Sequence, residues 1–197
     1  MYLKTLWSSL KFIVLSFLVL GLVYNLVIFG IGKLIFPGQA NGSLVVQNHR
    51  VIGSSLIGQN FTSEKYFQGR PSATTPAYNA AASSPSNYGP TNPLLIKEIK
   101  TNLDRVLKEN LGISASDVPP QLVERSASGI DPDISPQAAY LQVPRVSRLN
   151  HISKLALISY IKDNTVSRFL WIFGDSYVNV LSLNLEVVKL DHIEKQS

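Results

Sequence analysis

Between Phe12 and Gly32 the chain carries no charged side chain, whereas Lys4 and Lys11 precede the run and Lys33 follows it directly. At a helical rise of about 1.5 Å per residue the run reaches roughly 30 Å, the thickness of a bilayer's hydrocarbon core. A secretory signal is the competing reading, with Gly38-Gln39-Ala40 as a small-x-small cleavage site, but its apolar region extends over only about 7 to 15 residues. A helix buried in a soluble core would keep a polar face, whereas Leu15, Phe17, Leu18, Leu20, Leu22, Val23, Leu26, Ile28 and Phe29 point all the way round. One membrane crossing is therefore expected. Lys4, Lys11 and the amino terminus outweigh Lys33 as flanking positive charge, which sets the N-terminal side in the cytoplasm. The expected organisation is a cytoplasmic tail over 1–11, a transmembrane helix and its exit over 12–36, and one extracytoplasmic domain over 37–197.

Gly21, Asn25, Gly30 and Gly32 interrupt the apolar run. Small residues allow another helix to approach closely, and an amide within the membrane seeks a partner. These positions are candidate contacts to a second membrane helix; an idle, lipid-exposed anchor is the alternative.

The remaining chain is enough for a single modest core. Its formal net charge of +5 comes from scattered basic residues that follow no nucleic-acid reading motif. A bilayer surface or an acidic partner suits that balance better. The absence of cysteine excludes disulfides and thiolate metal sites.

Leu44-Val45-Val46 and Val51-Ile52 read as a paired hairpin. The stretch 61–92 then lacks helical or strand periodicity and holds Gly69, Pro71, Pro76, Pro85, Gly89 and Pro90. Its composition is that of a flexible linker, yet Tyr66, Phe67, Tyr78 and Tyr88 have no use in a solvated one. Both readings stand on the sequence: linker or functional docking loop. Asn92 and Pro93 open a helix with Leu95, Ile99, Leu103, Val106 and Leu107 inward and Gly112 as its stop. Ser114 to Pro120 is expected to be a loop. Ser135-Pro136 opens a short helix through Gln142, Pro144 restarts the chain, and Ser153 to Lys162 forms another helix with Leu155, Ile158, Tyr160 and Ile161 inward. Tyr177 to Leu181 reads as a late strand. The class is α+β: a single N-terminal transmembrane helix followed by one mixed domain.

Gly30-Ile31-Gly32-Lys33 is no phosphate loop, since the glycine spacing is short and Leu34 follows the lysine. His49, His151 and His192 share no ligand spacing. Ser126-Ala127-Ser128-Gly129 through Asp131 and Asp133 can be read as an anion-binding nest or as a structured turn that delivers Ser135 as a helix cap. A serine hydrolase anchored to the membrane is a weaker reading, because no nucleophile elbow or Ser, His, Asp order is evident. Arg145 and Arg148 lie three apart and share a helix face, with Lys154 extending it. Such a face is either solvated or docks onto acidic protein, lipid headgroups or a nucleotide's phosphates. Arg70, between Tyr66-Phe67 and Pro71, has the makings of an interface anchor.

Tyr66-Phe67-Gln68-Gly69-Arg70-Pro71-Ser72-Ala73, Tyr78-Asn79, Ser86-Asn87, Gly89-Pro90-Thr91-Asn92-Pro93, Ser126-Ala127-Ser128-Gly129 with Asp131-Pro132, Gln142-Val143 with Arg145-Val146, and Val178-Asn179-Val180-Leu181 with Leu183-Asn184-Leu185 fall in order along nearly the whole chain. In these strings the chain resembles the C subunit of the Kdp potassium-transporting P-type ATPase. The resemblance implies a non-catalytic accessory subunit of a bacterial high-affinity potassium importer. Its partners would be a channel-like potassium-binding subunit, a P-type ATPase catalytic subunit and a very small subunit, all in the inner membrane. One helix cannot enclose a pore, and the sequence holds no Asp-Lys-Thr-Gly phospho-acceptor.

The resemblance also implies a catalytic-chaperone alternative, in which Ser126, Ser128, Gly129, Gln142 and Arg145 contact ATP with the ATPase subunit; no tightly bound cofactor is otherwise expected. Against that alternative, the expected orientation puts these residues outside while ATP is inside. The implied partner contacts are Gly21, Asn25, Gly30 and Gly32 in the span and Tyr66, Phe67, Arg70, Tyr78, Asn79, Asn87 and Asn92 along the loop. Asp133 stands where the family often has histidine after Asp-Pro.

Overall fold

The computed structural model of the chain describes residues 2–194 and, at His192, Ile193 and Glu194, the backbone only. It divides into two units, Met1–Leu44 and Val45–Ser197. The first is dominated by one helix, Tyr2–Ile35, long and apolar enough to cross a membrane and without a buried residue along its length. It comprises α1 (Tyr2–Ser16), a π-helical stretch (Phe17–Val23) and α2 (Tyr24–Ile35), followed by the single turn α3 (Pro37–Ala40). At the end of the π stretch the Tyr24 N–H reaches back to the Val19 carbonyl. Wider turns of this kind leave carbonyls poorly paired, and the Asn25 amide donates to two of them, at Leu20 (3.1 Å) and Gly21 (2.7 Å). An amide expected to seek a second helix is thus satisfied within its own.

The second unit begins with the expected hairpin, β1 (Leu44–Gln47) paired with β2 (Arg50–Ser54). The helix expected after Asn92 is α4 (Pro93–Glu109). The Asn92 side chain accepts from the Leu94 N–H at 2.9 Å, and Gly112 lies just past the helix end at φ +86°. Short 3-10 turns at Ala115–Asp117 and Pro120–Leu122 carry the chain to β3 (Asp133–Ile134).

α5 (Pro136–Asn150) opens with the Ser135 hydroxyl accepting from the Ala138 N–H. It does not stop at Gln142. Pro144 sits inside the helix, where it removes the bond to the Tyr140 carbonyl, but both residues lie on the exposed side and water can serve that carbonyl. The opposite side holds Ala138, Ala139, Gln142, Val143, Val146 and Asn150 in the core, and that packing carries the helix through. The chain reverses at His151, in the left-handed conformation at φ 59°, into α6 (Lys154–Asp163), which packs on α5.

In α6 the inward pair is Leu157 and Ile161, with Tyr160 at the edge, whereas Leu155 and Ile158 are exposed. Apolar residues occur on both sides of this helix, so the sequence left its inward face to tertiary packing. The strand expected over 177–181 shrinks to β4 (Val178–Asn179), antiparallel to β3 with Asp133 opposite Asn179 and Ile134 opposite Val178. Val180 already begins α7 (Val180–Glu194), whose Leu181-Ser182-Leu183-Asn184-Leu185 alternates apolar and polar with the period of a strand. Its buried residues, Val180, Leu181, Leu183, Asn184 and Val187, fit a helix because it packs against α6 on one side and lies over Phe67 on the other. The unit is a helical layer with two small ribbons, its core running through Phe67, Val106, Ile134, Val143, Val146, Ile161, Val178 and Leu183.

Candidate functional site

The 61–92 segment is a packed loop. Phe67 is fully buried, and its peptide is clamped from both sides by Asn184, whose Oδ1 accepts from Phe67 N at 2.7 Å and whose Nδ2 donates to Phe67 O at 2.9 Å. Tyr66 packs half-buried against the same core, its ring 6.0 Å from that of Phe61. The two aromatics thus face this domain.

Tyr78 plugs the next turn. Its hydroxyl donates to the Arg70 carbonyl at 2.6 Å, and its ring fills a slot that needs glycine on both sides. A Cβ on Gly58 would lie 2.5 Å from Tyr78, and one on Gly69 would lie 2.7 Å from its hydroxyl. Burial, reinforced by the Asp131 carboxylate, pushes the phenol up to about 12, so it stays a donor across the physiological range. The Ser72 hydroxyl donates to Gly129 O (2.6 Å) and accepts from Tyr78 N, while the Thr74 hydroxyl accepts from Asn79 N and donates to Pro76 O. The Asn79 side chain accepts from Ala81 N, Asn92 caps α4, and Asn87 is exposed at φ 55°. Arg70 pairs with Asp131 at 3.2 Å and donates to Arg125 O.

The five residues named as ATP contacts fall into two sets with different partners. Ser126 is buried, and its hydroxyl accepts from Gly129 N at 3.0 Å; the Ser128 hydroxyl accepts from Ile130 N. Gly129, at φ +69°, lies against Ala73, Thr74 and Ser84, where a Cβ would meet Thr74 at 2.9 Å. Two of the amides that a nest would aim at an anion, those of Gly129 and Ile130, are here taken by the loop's own hydroxyls.

Gln142 and Arg145 form the second set. Gln142 is 1% exposed; its Oε1 accepts from Gln68 N (2.8 Å) and Arg145 Nη2 (2.6 Å), while its Nε2 donates to Gln68 O and Ala138 O. Arg145 is 2% exposed and donates to Asn110 Oδ1, Gln142 Oε1 and the carbonyls of Glu64 and Tyr66. Burial lowers its pKa, with the Glu109 and Glu64 carboxylates opposing. The face expected to unite Arg145 with Arg148 is split: Arg148 is exposed and Arg145 is inside. The donors of this pair are committed within the domain, to the carbonyls of Glu64, Tyr66, Gln68 and Ala138 and to the side chains of Asn110 and Gln142.

An open cleft of about 610 Å³ lies between the 59–78 segment and α4. It brings together Arg70, Lys97, Glu98, Arg105, Glu109 and Arg125, of which only Arg70 was singled out in the sequence. The others are spread over separate segments with no motif to mark them. Arg125 pairs with Glu98 (3.0 Å) and Arg105 with Glu109 (3.4 Å). Among the described residues no cluster of three metal-ligating side chains occurs; the His192 side chain lies outside them.

The profile of the family described as "K+-transporting ATPase, c chain" matches residues 6–189, the span as well as the packed domain. The chain belongs to the KdpC family. Relatives named potassium-transporting ATPase KdpC subunit include one from Bacillus cereus (strain G9842), 47% identical over 95% of this chain and 97% of its own length. One from Caldanaerobacter subterraneus subsp. tengcongensis is 43% identical, covering 95% of each chain. A third, from Janthinobacterium sp. (strain Marseille), is 50% identical over 85% of this chain and 89% of its own.

In this KdpC chain Asp133 accepts from the Asn179 amide at 2.9 Å across the β3–β4 pair. Burial raises its carboxyl pKa, the Asn179 bond opposes that, and Asp131 adds to it. A carboxyl whose folded pKa lies above its unfolded value costs stability while ionised and relieves that cost as pH falls through the raised value. Asp133→Asn keeps an acceptor for Asn179 and carries no charge. Its melting temperature is expected to exceed that of the natural chain at neutral pH, with the gap closing on acidification; thermal unfolding at several pH values checks this.

Proposed function

We propose that this subunit acts structurally: its span packs on a channel-like subunit of the complex, and its 45–197 unit lies outside the cytoplasm, where the outer side of the 61–92 loop docks over that subunit's external mouth. ATP is then handled by the ATPase subunit and not by this chain. The observation that carries the reading is the construction of the loop. Its inner side is pinned by Phe67, Tyr78, Ser72 and Thr74, so its outer side, Ala80 to Pro85 with Asn87, is a formed surface that needs no ordering on contact. The span adds support, since a Cβ built at Gly30 or Gly32 would meet, beyond its chain neighbours and the adjacent helix backbone, no described atom within 4 Å. The open space at these two positions suits a neighbouring helix.

Ala81→Glu with Ala82→Glu places two charges on the exposed turn and leaves the pinned side intact. The channel-like subunit is expected to be lost when the complex is purified in mild detergent, and potassium-dependent ATPase activity to fall with it. An intact, fully active complex carrying both substitutions would refute the docking role of the loop.

A further inference from the structure

Within the 45–197 unit, exposed apolar surface is concentrated on one hairpin outside the sites described above. Val166 and Tyr177 exchange backbone hydrogen bonds at 2.9 and 3.1 Å, and Phe169 and Phe173 exchange theirs at 2.9 Å each. Arg168 and Asp175 form an ion pair across the legs at 3.1 Å, itself in solvent. The tip is Phe169-Leu170-Trp171-Ile172-Phe173, with exposures from 60% at Phe173 to 91% at Trp171. Leu170 and Trp171 hold positive φ, at 49° and 68°, a region that bulky residues seldom adopt. Turn tips in water are ordinarily built from glycine, asparagine, aspartate and serine. Here bulky apolar residues occupy a turn that holds them away from the core.

We propose that this tip inserts into the lipid surface of the membrane, at the boundary between headgroups and acyl chains. A membrane lies beside this unit, because roughly ten residues, at most about 35 Å of chain, tether Val45 to Ile35 at the end of the span. The composition is that of an interfacial anchor: tryptophan and phenylalanine with aliphatic residues at the apex, and a charged pair at the base where headgroups lie. The shape separates lipid from protein as the occupant. A protein socket receives a face with a polar rim, whereas this tip is a narrow wedge exposed on all sides, which a fluid surface can surround. The insertion needs only the chain's own span and no partner subunit.

Trp7→Phe leaves Trp171 as the sole tryptophan of the full chain, which can then be reconstituted alone into phosphatidylcholine and phosphatidylglycerol vesicles. Trp171 emission is expected to be blue-shifted, mostly lost to lipids carrying a nitroxide near the headgroup, and spared by aqueous iodide. Phe169→Ser with Phe173→Ser, at exposed positions that leave the core untouched, should return the emission to that of a solvated tryptophan. Quenching by iodide and not by nitroxide lipids overturns the proposal. Shielding from both quenchers that appears only once the partner subunits are co-reconstituted also overturns it, in favour of a protein socket.

Discussion

Arg145→Ala is expected to remove about 3–5 kcal/mol from the stability of the 45–197 unit, a large part of what a domain of this kind possesses. Four acceptors converge on that guanidinium: Asn110 Oδ1, Gln142 Oε1 and the carbonyls of Glu64 and Tyr66. The side chain is among the largest fully buried in the chain, so truncation leaves both a cavity and acceptors that water reaches poorly. Arg145→Lys should recover little, because an ammonium lacks the planar fork that spans these acceptors. Arg148→Ala, three residues on and exposed, should lie within about 0.5 kcal/mol of the natural chain. Urea unfolding of the full chain in mild detergent, followed by near-ultraviolet circular dichroism, measures all three. A near-neutral Arg145→Ala would mean that the arginine acts on something outside this chain.

Phe67→Ala is expected to cost a similar amount, about 3–5 kcal/mol. The ring is fully buried, and Asn184 has positioned its peptide with a donor and an acceptor at once. The loss should appear in the isolated chain, before any partner is added. That separates Phe67 from the outer turn at Ala81 and Ala82, where substitution should spare the chain and disturb the complex. A Phe67→Ala chain as stable as the natural one, with only its assembly impaired, would restore Phe67 as a docking residue.

The two predictions concern residues whose roles the sequence left open. A phenylalanine three residues before an arginine and its proline is consistent with an anchor for a partner, and a glutamine three residues before an arginine is consistent with a ligand site. Residue type and spacing carry no record of which carbonyls will converge on them. Arg145 touches Glu64 and Tyr66 some eighty positions away, and only the path of the chain brings those carbonyls to it. The cleft lined by Arg105, Arg125 and Glu98 was illegible for the same reason, as was the turn from strand to helix at Val180. There an alternating pattern favours a strand, and packing against α6 overrides it.

What the sequence determined by itself were the features that local physics decides. The uncharged run with its flanking lysines specifies one helix of membrane length, because hydrophobic length is a property of the segment alone. Asn92-Pro93 and Ser135-Pro136 start helices where expected, because a cap and a proline act within one turn. The ordered series of long motifs carried the family. The tertiary structure decided everything that depends on contact between distant positions: that the proline-rich loop is pinned, that Pro144 is tolerated on a solvent face, that Arg145 is interior, and that five apolar residues stand exposed at the tip of a hairpin. Burial is set by what the folded chain brings alongside a residue, and no local pattern carries that information.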